Sequence, residues 1–350
     1  MYLMSKDVIL AQINFDTMQF TVFKPDLMPF ALRGNNVNLF TVYSWLENRV
    51  LHLSRSNAKK IISSMGLNQN NRIEICFACK GLSLIDCYWL KVESDKTSWN
   101  DVNLYSNSLS SAIAHIALTG EFVSIKGRVR TPELTNGGSY AKCWRRCKDG
   151  IYMYKTGSLQ GSGKEYLVDI LCSDILDKLN VAHVKYTLTQ SGLRPVSRCK
   201  NMTSPELSIC DMEYFEGYCN RNNINLSKWL ESQKSYFDML VIDYLIFNSD
   251  RHSGNWGVYF DANTGRVIGL HPLFDHNLSL DPKADNMSKV IQGKTLEECA
   301  KYAKKYSNLS TKDLVSWLKR KTTKARFLEI DKTGIFYREM LNRIKVYNSW

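Results

Sequence analysis

The sequence predicts an α+β fold in which an N-terminal α/β subdomain and a strand-rich middle part precede a mostly helical C-terminal part. Three observations indicate this. Short runs that alternate apolar and polar residues recur up to about residue 200, helical spacing dominates after about residue 205, and 44% of the 350 residues are hydrophobic. Such a chain buries a sizeable core and divides into two or three domains or subdomains.

The predicted N-terminal subdomain covers residues 1–118. Its expected elements are two strands within Val8–Phe23, a helix over Ser54–Met65, a strand over Arg72–Ala78, and a buried helix over Ser108–Thr119 that ends at Gly120. Ser56 or Asn57 is expected to cap the first helix. Residues 1–118 carry no motif with a chemical signature, so a structural brace is favoured over an acceptor site or a partner site.

The predicted middle part covers residues 119–204. We expect an extended run over Phe122–Ile125, a turn-rich loop over Thr131–Ser139, a hairpin of Ala141–Trp144 with Ile151–Lys155, a glycine-containing loop over Thr156–Lys164, a helix over Glu165–Leu179, and strands over His183–Leu188 and Pro195–Met202. The glycine-containing loop follows the hairpin directly and leads into the helix.

The predicted C-terminal part covers residues 205–350 and is mostly helical. Leu226–Ser249 has apolar residues at helical spacing, and the chain after Thr295 has room for about three amphipathic helices. Between these helical stretches lies a polar loop, followed by two short strands around the turn at residues 261–265.

Charge and cysteine content exclude some functional classes. Lys and Arg number 46 against 34 Asp and Glu, a net charge of +12, so a polyanionic partner must be considered. The basic residues are spread out, and no zinc-finger, RNP or basic-zipper pattern accompanies them. A solvated basic face or a phosphate-bearing ligand is therefore favoured. The ten cysteines are expected to be reduced, because a chain of this size does not need disulfides and no signal peptide is recognised. Structural thiols are favoured over a zinc site, because no second CxxC and no nearby His pair complete one with Cys76 and Cys79.

No membrane span is predicted. The strongest apolar run, residues 236–247, contains two aspartates and is well short of the ~20 residues that a spanning helix needs. The N-terminus lacks a basic region followed by an apolar stretch, so no secretory signal is recognised. We expect a cytoplasmic protein, and export without a signal peptide stays open as an alternative.

The most informative segment runs from residue 243 to residue 281. Asp250 and Asn255 have the D-x-x-x-x-N spacing of a kinase catalytic loop, and Asp275 follows a strand–turn–strand. In phosphoryl transfer an Asp orients the attacking hydroxyl, and an Asn and a second Asp hold Mg²⁺. Asp and Asn also cluster in ordinary turns. The joint pattern favours catalysis over turn chemistry.

Upstream residues are consistent with the same chemistry. Lys155 ends a predicted strand, where a lysine can reach the phosphates of ATP, and Glu165 or Asp169 on the next helix could pair with it. Gly137, Gly138 and Ser139 lie in a loop whose backbone N–H groups could approach phosphate, although the same residues suit a hairpin turn equally well.

On these residues, the chain resembles the HipA-like serine/threonine kinases, in particular the branch of cell-translocating kinases. The resembling stretches are residues 131–138, 142–146, 151–155 and above all 243–281, with residues 50–66 and 88–120 also similar. The D-R-H-x-x-N motif is similar to that of phosphoinositide kinases too. The resemblance implies a two-lobed protein-kinase-like fold, ATP as phosphoryl donor, Mg²⁺, and Ser or Thr of a protein as acceptor.

By position, the resemblance implies a role for each residue of the site. Asp250 would be the catalytic base, and Asn255 and Asp275 would hold the metal. Lys155 would contact the ATP phosphates, and residues 200–203 would face adenine. The phosphate loop would contain Gly137, Gly138 and Ser139. The sequence departs from the family pattern in three places: Asp169 replaces the expected Glu, with Glu165 one helical turn earlier as a substitute, Tyr140 replaces a Gln, and His276 follows the second metal Asp.

Three functions follow as hypotheses. The leading one is an ATP- and Mg²⁺-dependent serine/threonine protein kinase that also phosphorylates itself. A lipid or small-molecule kinase on the same fold is the second, since fold does not fix the acceptor. A non-catalytic nucleotide-binding regulator is the third, and it is disfavoured because Lys155, Asp250, Asn255 and Asp275 are all present. The resemblance also suggests an antitoxin or other regulatory partner protein.

Overall fold

The computed structural model describes residues 1–34, 37–125, 129–158, 163–282 and 286–350. In these ranges the chain forms three antiparallel sheets with helices packed around them. Part of the predicted glycine-containing loop, residues 159–162, lies outside the described residues. Within the described residues, no helix is both long enough and apolar enough to cross a membrane.

The N-terminal part is a four-stranded sheet covered by short helices. The strand order is β3-β2-β1-β4. The elements are β1 Tyr2–Ser5, β2 Val8–Asn14, β3 Gln19–Val22, α1 Leu39–Asn48, α2 Ala58–Ser64, α3 Arg72–Ala78, β4 Tyr88–Lys91, α4 Trp99–Val102 and α5 Ser111–Thr119, with 3-10 turns at Pro25–Leu27 and Phe30–Leu32. The predicted strand pair and both predicted helices are confirmed, and α5 ends at Gly120 with a left-handed φ of 74°.

One prediction in this part is wrong, because Arg72–Ala78 forms a helix and not a strand. The Asn71 side chain accepts a hydrogen bond from the N–H of Glu74, which caps the helix N-terminus. Ile75 and Cys76 face the core from adjacent positions, which a strand would point to opposite sides. A seven-residue run of this kind fits both the two-residue period of a strand and the 3.6-residue period of a helix. The capping bond from Asn71 favours the helix.

The middle part is a second four-stranded sheet with one long helix behind it. The strand order is β5-β6-β8-β7. The elements are a 3-10 turn Glu133–Thr135, β5 Lys142–Cys147, β6 Gly150–Lys155, α6 Glu165–Lys178, β7 Tyr186–Ser191 and β8 Arg194–Lys200. The hairpin, the helix and the two later strands are confirmed. Residues 122–125 pair with no strand of the described residues and Phe122 is exposed, so the extended run predicted there stays a prediction.

The C-terminal part is mostly helical, as predicted, around a three-stranded sheet of order β11-β10-β9. Four helices follow Thr295 where about three were predicted, because residues 312–330 divide into two. The elements are β9 Leu207–Asp211, α7 Met212–Arg221, α8 Leu226–Glu231, α9 Lys234–Leu245, β10 Gly257–Asp261, β11 Val267–Leu270, α10 Leu296–Lys304, α11 Lys312–Leu318, α12 Lys321–Ile330 and α13 Ile335–Ser349. The domain boundaries at residues 118 and 204 stay a prediction.

A buried ion pair joins the N-terminal part to the middle part. Arg55 and Glu133 lie 2.7 Å apart, and neither side chain has exposed surface. The Arg55 guanidinium also donates to the carbonyls of Glu133, Asn136 and Lys142, at 2.7, 3.2 and 2.7 Å. Glu133 in turn accepts from the N–H of Trp144 at 2.7 Å. One side chain therefore fixes both ends of the loop at residues 136–142.

Replacing Arg55 should destabilise the protein strongly. Arg55→Met leaves the Glu133 carboxylate buried without a cation, which costs about 3–5 kcal/mol of unfolding free energy. Urea unfolding followed by circular dichroism measures this loss. Arg320→Met, at an exposed arginine, is the matched control and should change little. Adding Glu133→Gln to Arg55→Met should recover part of the loss. A loss below about 1 kcal/mol in the single variant would contradict this account.

Candidate active site

Arg251 holds the predicted catalytic loop to its surroundings. α9 ends at Leu245, and the loop that follows leads into β10. The Arg251 side chain is 2% exposed and pairs with Asp243 of α9 at 2.9 Å. It also donates to the carbonyls of Asn255 at 3.0 Å and Phe274 at 3.1 Å. A buried guanidinium with these partners fixes the loop relative to both α9 and the segment that carries Asp275.

Asp250 and Asn255 lie at opposite ends of this loop and contact each other. The Asn255 amide nitrogen donates to the Asp250 carbonyl at 2.8 Å. This bond orients the amide, so its oxygen stays available as a ligand. The Asp250 carboxylate, about a quarter exposed, pairs with Lys289 at 2.9 Å. Lys289 lies on the segment that leads to α10, and no sequence pattern around it indicates this contact.

Lys155 bridges two carboxylates from distant parts of the chain. Its ammonium lies 2.9 Å from Asp169 on α6 and 2.6 Å from Asp275 beyond β11. Burial alone would lower the pKa of Lys155, but the two carboxylates outweigh it and raise the pKa above the usual value. Burial would raise the pKa of Asp275, yet Lys155 and Lys142 hold it well below its usual range. Burial raises the pKa of Asp169 to about 6, still below neutral pH.

The structure pairs Lys155 with Asp169 and leaves Glu165 elsewhere. Glu165 accepts from the N–H of Ser158 at 3.0 Å, at the start of the next loop. The shorter Asp169 reaches Lys155 directly, and its other oxygen accepts from the N–H of His276 at 3.0 Å. Burial, reinforced by the positive charge of Arg251, lowers the pKa of His276 well below its usual value. This lowering of the pKa favours the neutral form of the His276 imidazole.

The predicted phosphate loop is held by the N-terminal part. The carbonyl of Ser139 accepts from the backbone N–H and the hydroxyl of Ser56, at 2.8 and 3.0 Å. Gly138 has a φ of 81°, which side chains rarely adopt. Space is open around Gly137, where no atom lies within 4 Å of an added Cβ. The loop can therefore bring backbone N–H groups close to a phosphate.

One cavity of about 410 Å³ collects most of the predicted residues. This volume lies within the usual range for small-ligand sites. Residues 200–203, predicted to face adenine, line it as well. The other predicted residues that line it are Gly137, Gly138, Ser139, Lys155, Asp250, Asn255 and Asp275. Asp169 and Glu165 do not line it, but Asp169 contacts Lys155, which does.

Lys142 also lines this cavity, and no sequence motif assigns it a role. It begins β5 and is 7% exposed. Among the described residues its ammonium has no hydrogen-bond or ion-pair partner. Burial lowers the pKa of Lys142 to about 8 despite the nearby Asp275. The spacing in the sequence could have indicated that Lys142 is buried. Lys142 and the apolar Trp144 are two residues apart, and such residues share one face of a strand.

The residues present fit a magnesium ion only together with a phosphate-bearing ligand. The Asn255 amide oxygen and one oxygen of Asp275 have no hydrogen-bond partner among the described residues. No group of three or more His, Cys, Asp or Glu side chains in the described ranges could hold a metal by itself. Mg²⁺ is commonly bound by one or two protein ligands, with phosphate and water completing the shell.

Comparison with known proteins gives one short sequence match. No family model matches the chain. The serine/threonine-protein kinase CtkA of Helicobacter pylori is 40% identical over 52 residues, which are 15% of this chain and 16% of that relative. The match thus spans about a sixth of the relative's length. The crystal structure of the H. pylori proinflammatory kinase CtkA aligns with 60% of this chain and 93% of its own, at 17% identity and a TM-score of 0.43.

A second solved structure matches the whole chain. HipA from the Shewanella oneidensis toxin–antitoxin complex with HipB and operator DNA aligns with 100% of this chain and 97% of its own, at a TM-score of 0.60. The chain has the HipA-like kinase fold. The two-lobed architecture expected from the resemblance is therefore confirmed. At 11% sequence identity, the likeness to HipA extends to the fold alone.

In this HipA-like fold, Lys142 should cost stability when no ligand is bound. Its pKa of about 8 is below the ordinary 10.5, so the folded protein releases this proton more readily than the unfolded chain. The charged form then costs roughly 3 kcal/mol below pH 8. Lys142→Met should raise the unfolding free energy at pH 7, and its advantage over wild type should shrink as pH rises from 8 towards 10.

Denaturant unfolding across this pH range measures the effect. Lys148→Met, on the exposed turn between β5 and β6, is the control and should follow wild type at every pH. A Lys142→Met variant no more stable than wild type at pH 7 would contradict the assignment of Lys142 as a buried cation whose charged form is disfavoured.

Proposed function

We propose that this chain is an ATP- and Mg²⁺-dependent serine/threonine protein kinase that also phosphorylates itself. The observation that carries the proposal is the convergence of Lys155, Asp250, Asn255 and Asp275 on one cavity beside a glycine-containing loop. Lys155 comes from the middle part, whereas Asp250, Asn255 and Asp275 come from two separate segments of the C-terminal part. A structural role for any one of them does not explain why all four line the same space.

The cavity has the parts that phosphoryl transfer needs. Lys155, held by Asp169 and Asp275, is placed to contact the phosphates of ATP. The loop at residues 137–139 can donate backbone N–H groups to the same phosphates. Asn255 and Asp275 would hold Mg²⁺, which supplies charge neutralisation for the transferred phosphoryl group. Residues 200–203 line the cavity where the adenine ring would lie.

Asp250 acts on the acceptor hydroxyl. Its carboxylate is partly exposed and lies at the cavity, so a Ser or Thr side chain can reach it from solvent. It would orient the hydroxyl and accept its proton as the oxygen attacks the γ-phosphorus. Lys289 occupies one oxygen of this carboxylate, so an incoming acceptor must share or displace that contact. The Lys289 side chain is about half exposed, so solvent can take over its ammonium when the contact breaks.

A protein acceptor is favoured over a lipid or a small molecule, because the relative that matches 52 residues is named a serine/threonine-protein kinase. The HipA of matching fold was solved within a toxin–antitoxin complex with HipB and operator DNA. We therefore propose that a regulatory partner protein controls this chain as well. We also propose that the chain works in the cytoplasm, where ATP and Mg²⁺ are available.

Asp250→Asn should abolish phosphoryl transfer and leave nucleotide binding nearly intact. The amide keeps the size of the side chain but cannot accept the hydroxyl proton, and loss of a general base typically costs about 10²–10⁴-fold in rate. Incubation with γ-labelled ATP and Mg²⁺, followed by mass spectrometry of the labelled residue, measures transfer. Asp16→Asn, in the exposed turn between β2 and β3, is the control.

The same assay separates the acceptor classes. Label on Ser or Thr of this chain or of an added protein supports the proposal. Label that enters only lipid or small metabolites assigns the activity to the second class of kinase, and equal transfer by wild type and Asp250→Asn removes the mechanism.

A further inference from the structure

A second cavity, in the C-terminal part, has no role in the proposed phosphoryl transfer. Its volume is about 610 Å³, and none of the residues that line it also lines the cavity around Lys155. It is lined by Glu216 of α7, Glu231 of α8 and Glu298 of α10, and we call it the acidic groove. All three glutamates are exposed, so the acidic groove is open to solvent.

The negative charge of the acidic groove is not neutralised by the protein. Among the described residues, none of the three glutamates forms an ion pair, and Lys294 is the one cationic side chain that lines the groove with them. The chain as a whole has a net charge of +12, so this negative charge is a local feature. A cleft lined mainly by one sign of charge focuses the electrostatic field and attracts ligands of the opposite sign.

Each of the three carboxylates keeps an oxygen for a ligand. Glu231 accepts from the Tyr302 hydroxyl at 3.1 Å with one oxygen. Glu298 uses one oxygen to accept from the N–H and the hydroxyl of Thr295, at 2.8 and 3.1 Å. The other oxygen of each, and both oxygens of Glu216, have no hydrogen-bond partner among the described residues.

Apolar side chains also line the acidic groove. Trp256 and Tyr236 are buried there, and their rings stack with centroids 6.1 Å apart. Val290 and Ile291 are half-buried, and Tyr302 is 37% exposed. Apolar surface bordered by unpaired carboxylates suits a ligand that has both apolar and cationic side chains.

The acidic groove begins next to the proposed acceptor site. Trp256 directly follows Asn255, and Val290 directly follows Lys289, whose ammonium lies 2.9 Å from Asp250. An extended chain advances about 3.3 Å per residue. A peptide that places its Ser or Thr at Asp250 therefore reaches the groove within a few residues.

A solvated acidic surface explains these observations less well. Three carboxylates from three helices repel one another around the concavity, and self-repulsion of this kind disfavours the compact state. A solvated surface also gives no reason for the apolar lining. The Lys or Arg side chains of a basic segment would supply the hydrogen-bond donors and the positive charge that the carboxylates lack.

We propose that the acidic groove docks a basic segment of the acceptor protein, one that carries Lys or Arg together with an apolar side chain. The inference rests on the proposed function, since it needs a protein acceptor at Asp250. Charge selects this occupant, because nucleic acids and anionic membranes are repelled by three carboxylates. Docking raises the effective concentration of the acceptor hydroxyl beside Asp250, and the groove takes no part in the transfer itself.

Two synthetic peptides test the acidic groove by fluorescence anisotropy, without relying on catalysis. Both contain one Ser and one Leu. The first has several Lys residues, and the second has Glu in place of each Lys. Wild type should prefer the Lys peptide, and its affinity should fall as salt rises. Replacing Leu by Ser in the Lys peptide should weaken binding, because the apolar contact is lost.

Variants of the three glutamates locate the binding site. Glu216→Gln, Glu231→Gln and Glu298→Gln combined should bind the Lys peptide about 10-fold more weakly, since three partly exposed charge contacts are lost. Gln at position 298 can still form the capping box of α10. The matched control removes the same charge from exposed positions of the N-terminal part and should bind like wild type. It combines Glu47→Gln, Glu74→Gln and Glu93→Gln.

Phosphorylation of the Lys peptide with γ-labelled ATP separates the two proposals. The groove variant should have a KM for this peptide about 10-fold above that of the control variant. Equal affinity of the two triple variants for the Lys peptide, or a preference of wild type for the Glu peptide, overturns the inference and leaves the proposed kinase intact. Wild type that labels neither itself, nor an added protein, nor either peptide refutes the proposed function, and the inference with it.

Discussion

The contact of Lys155 with Asp169 and Asp275 is the interaction on which the site depends. The lysine ends β6, Asp169 belongs to α6, and Asp275 follows β11 in the C-terminal part. Burying an ammonium or a carboxylate without a partner is costly. Each of the three groups is therefore stabilised by the others. Their contacts hold β6, α6 and the C-terminal part together at one point. The cavity lies at that point.

Two buried arginines complete this arrangement by binding backbone carbonyls. Arg251 holds the loop between Asp250 and Asn255 to α9 and to the segment before Asp275. Arg55 holds both ends of the loop that carries the glycines, from the N-terminal part. Loops that carry functional groups need a rigid support, because their backbone N–H and C=O groups are not paired in a helix or sheet and must find other hydrogen-bond partners. Arginine suits this task, since one planar side chain can donate to several carbonyls at once.

The N-terminal part contacts the loop at residues 136–142 through Arg55 and Ser56. The sequence favoured a brace for residues 1–118, and the contacts of Arg55 and Ser56 agree with bracing of a specific loop. The same contacts hold the backbone of Lys142, which is buried at the start of β5 opposite Lys155.

Local pattern alone was enough for most of the elements and for the motif. The hairpin at residues 142–155, helix α6 and the strand–turn–strand before Asp275 follow from alternation, helical spacing and turn residues, which are properties of neighbouring positions. The same is true of the spacing between Asp250 and Asn255. Arg72–Ala78 was misassigned because seven residues satisfy two periods, and the capping bond of Asn71 that decides between them is a contact and not a pattern.

Only the tertiary structure decided which distant side chains meet. It selected Asp169 over Glu165 as the partner of Lys155, placed Lys289 against Asp250, and buried Lys142 beneath Gly138, where its ammonium has no direct ion pair among the described residues. The physical reason is that burial and charge pairing depend on groups far apart in the chain. A lysine looks the same in sequence whether it points to solvent or into a cavity, and only packing distinguishes the two.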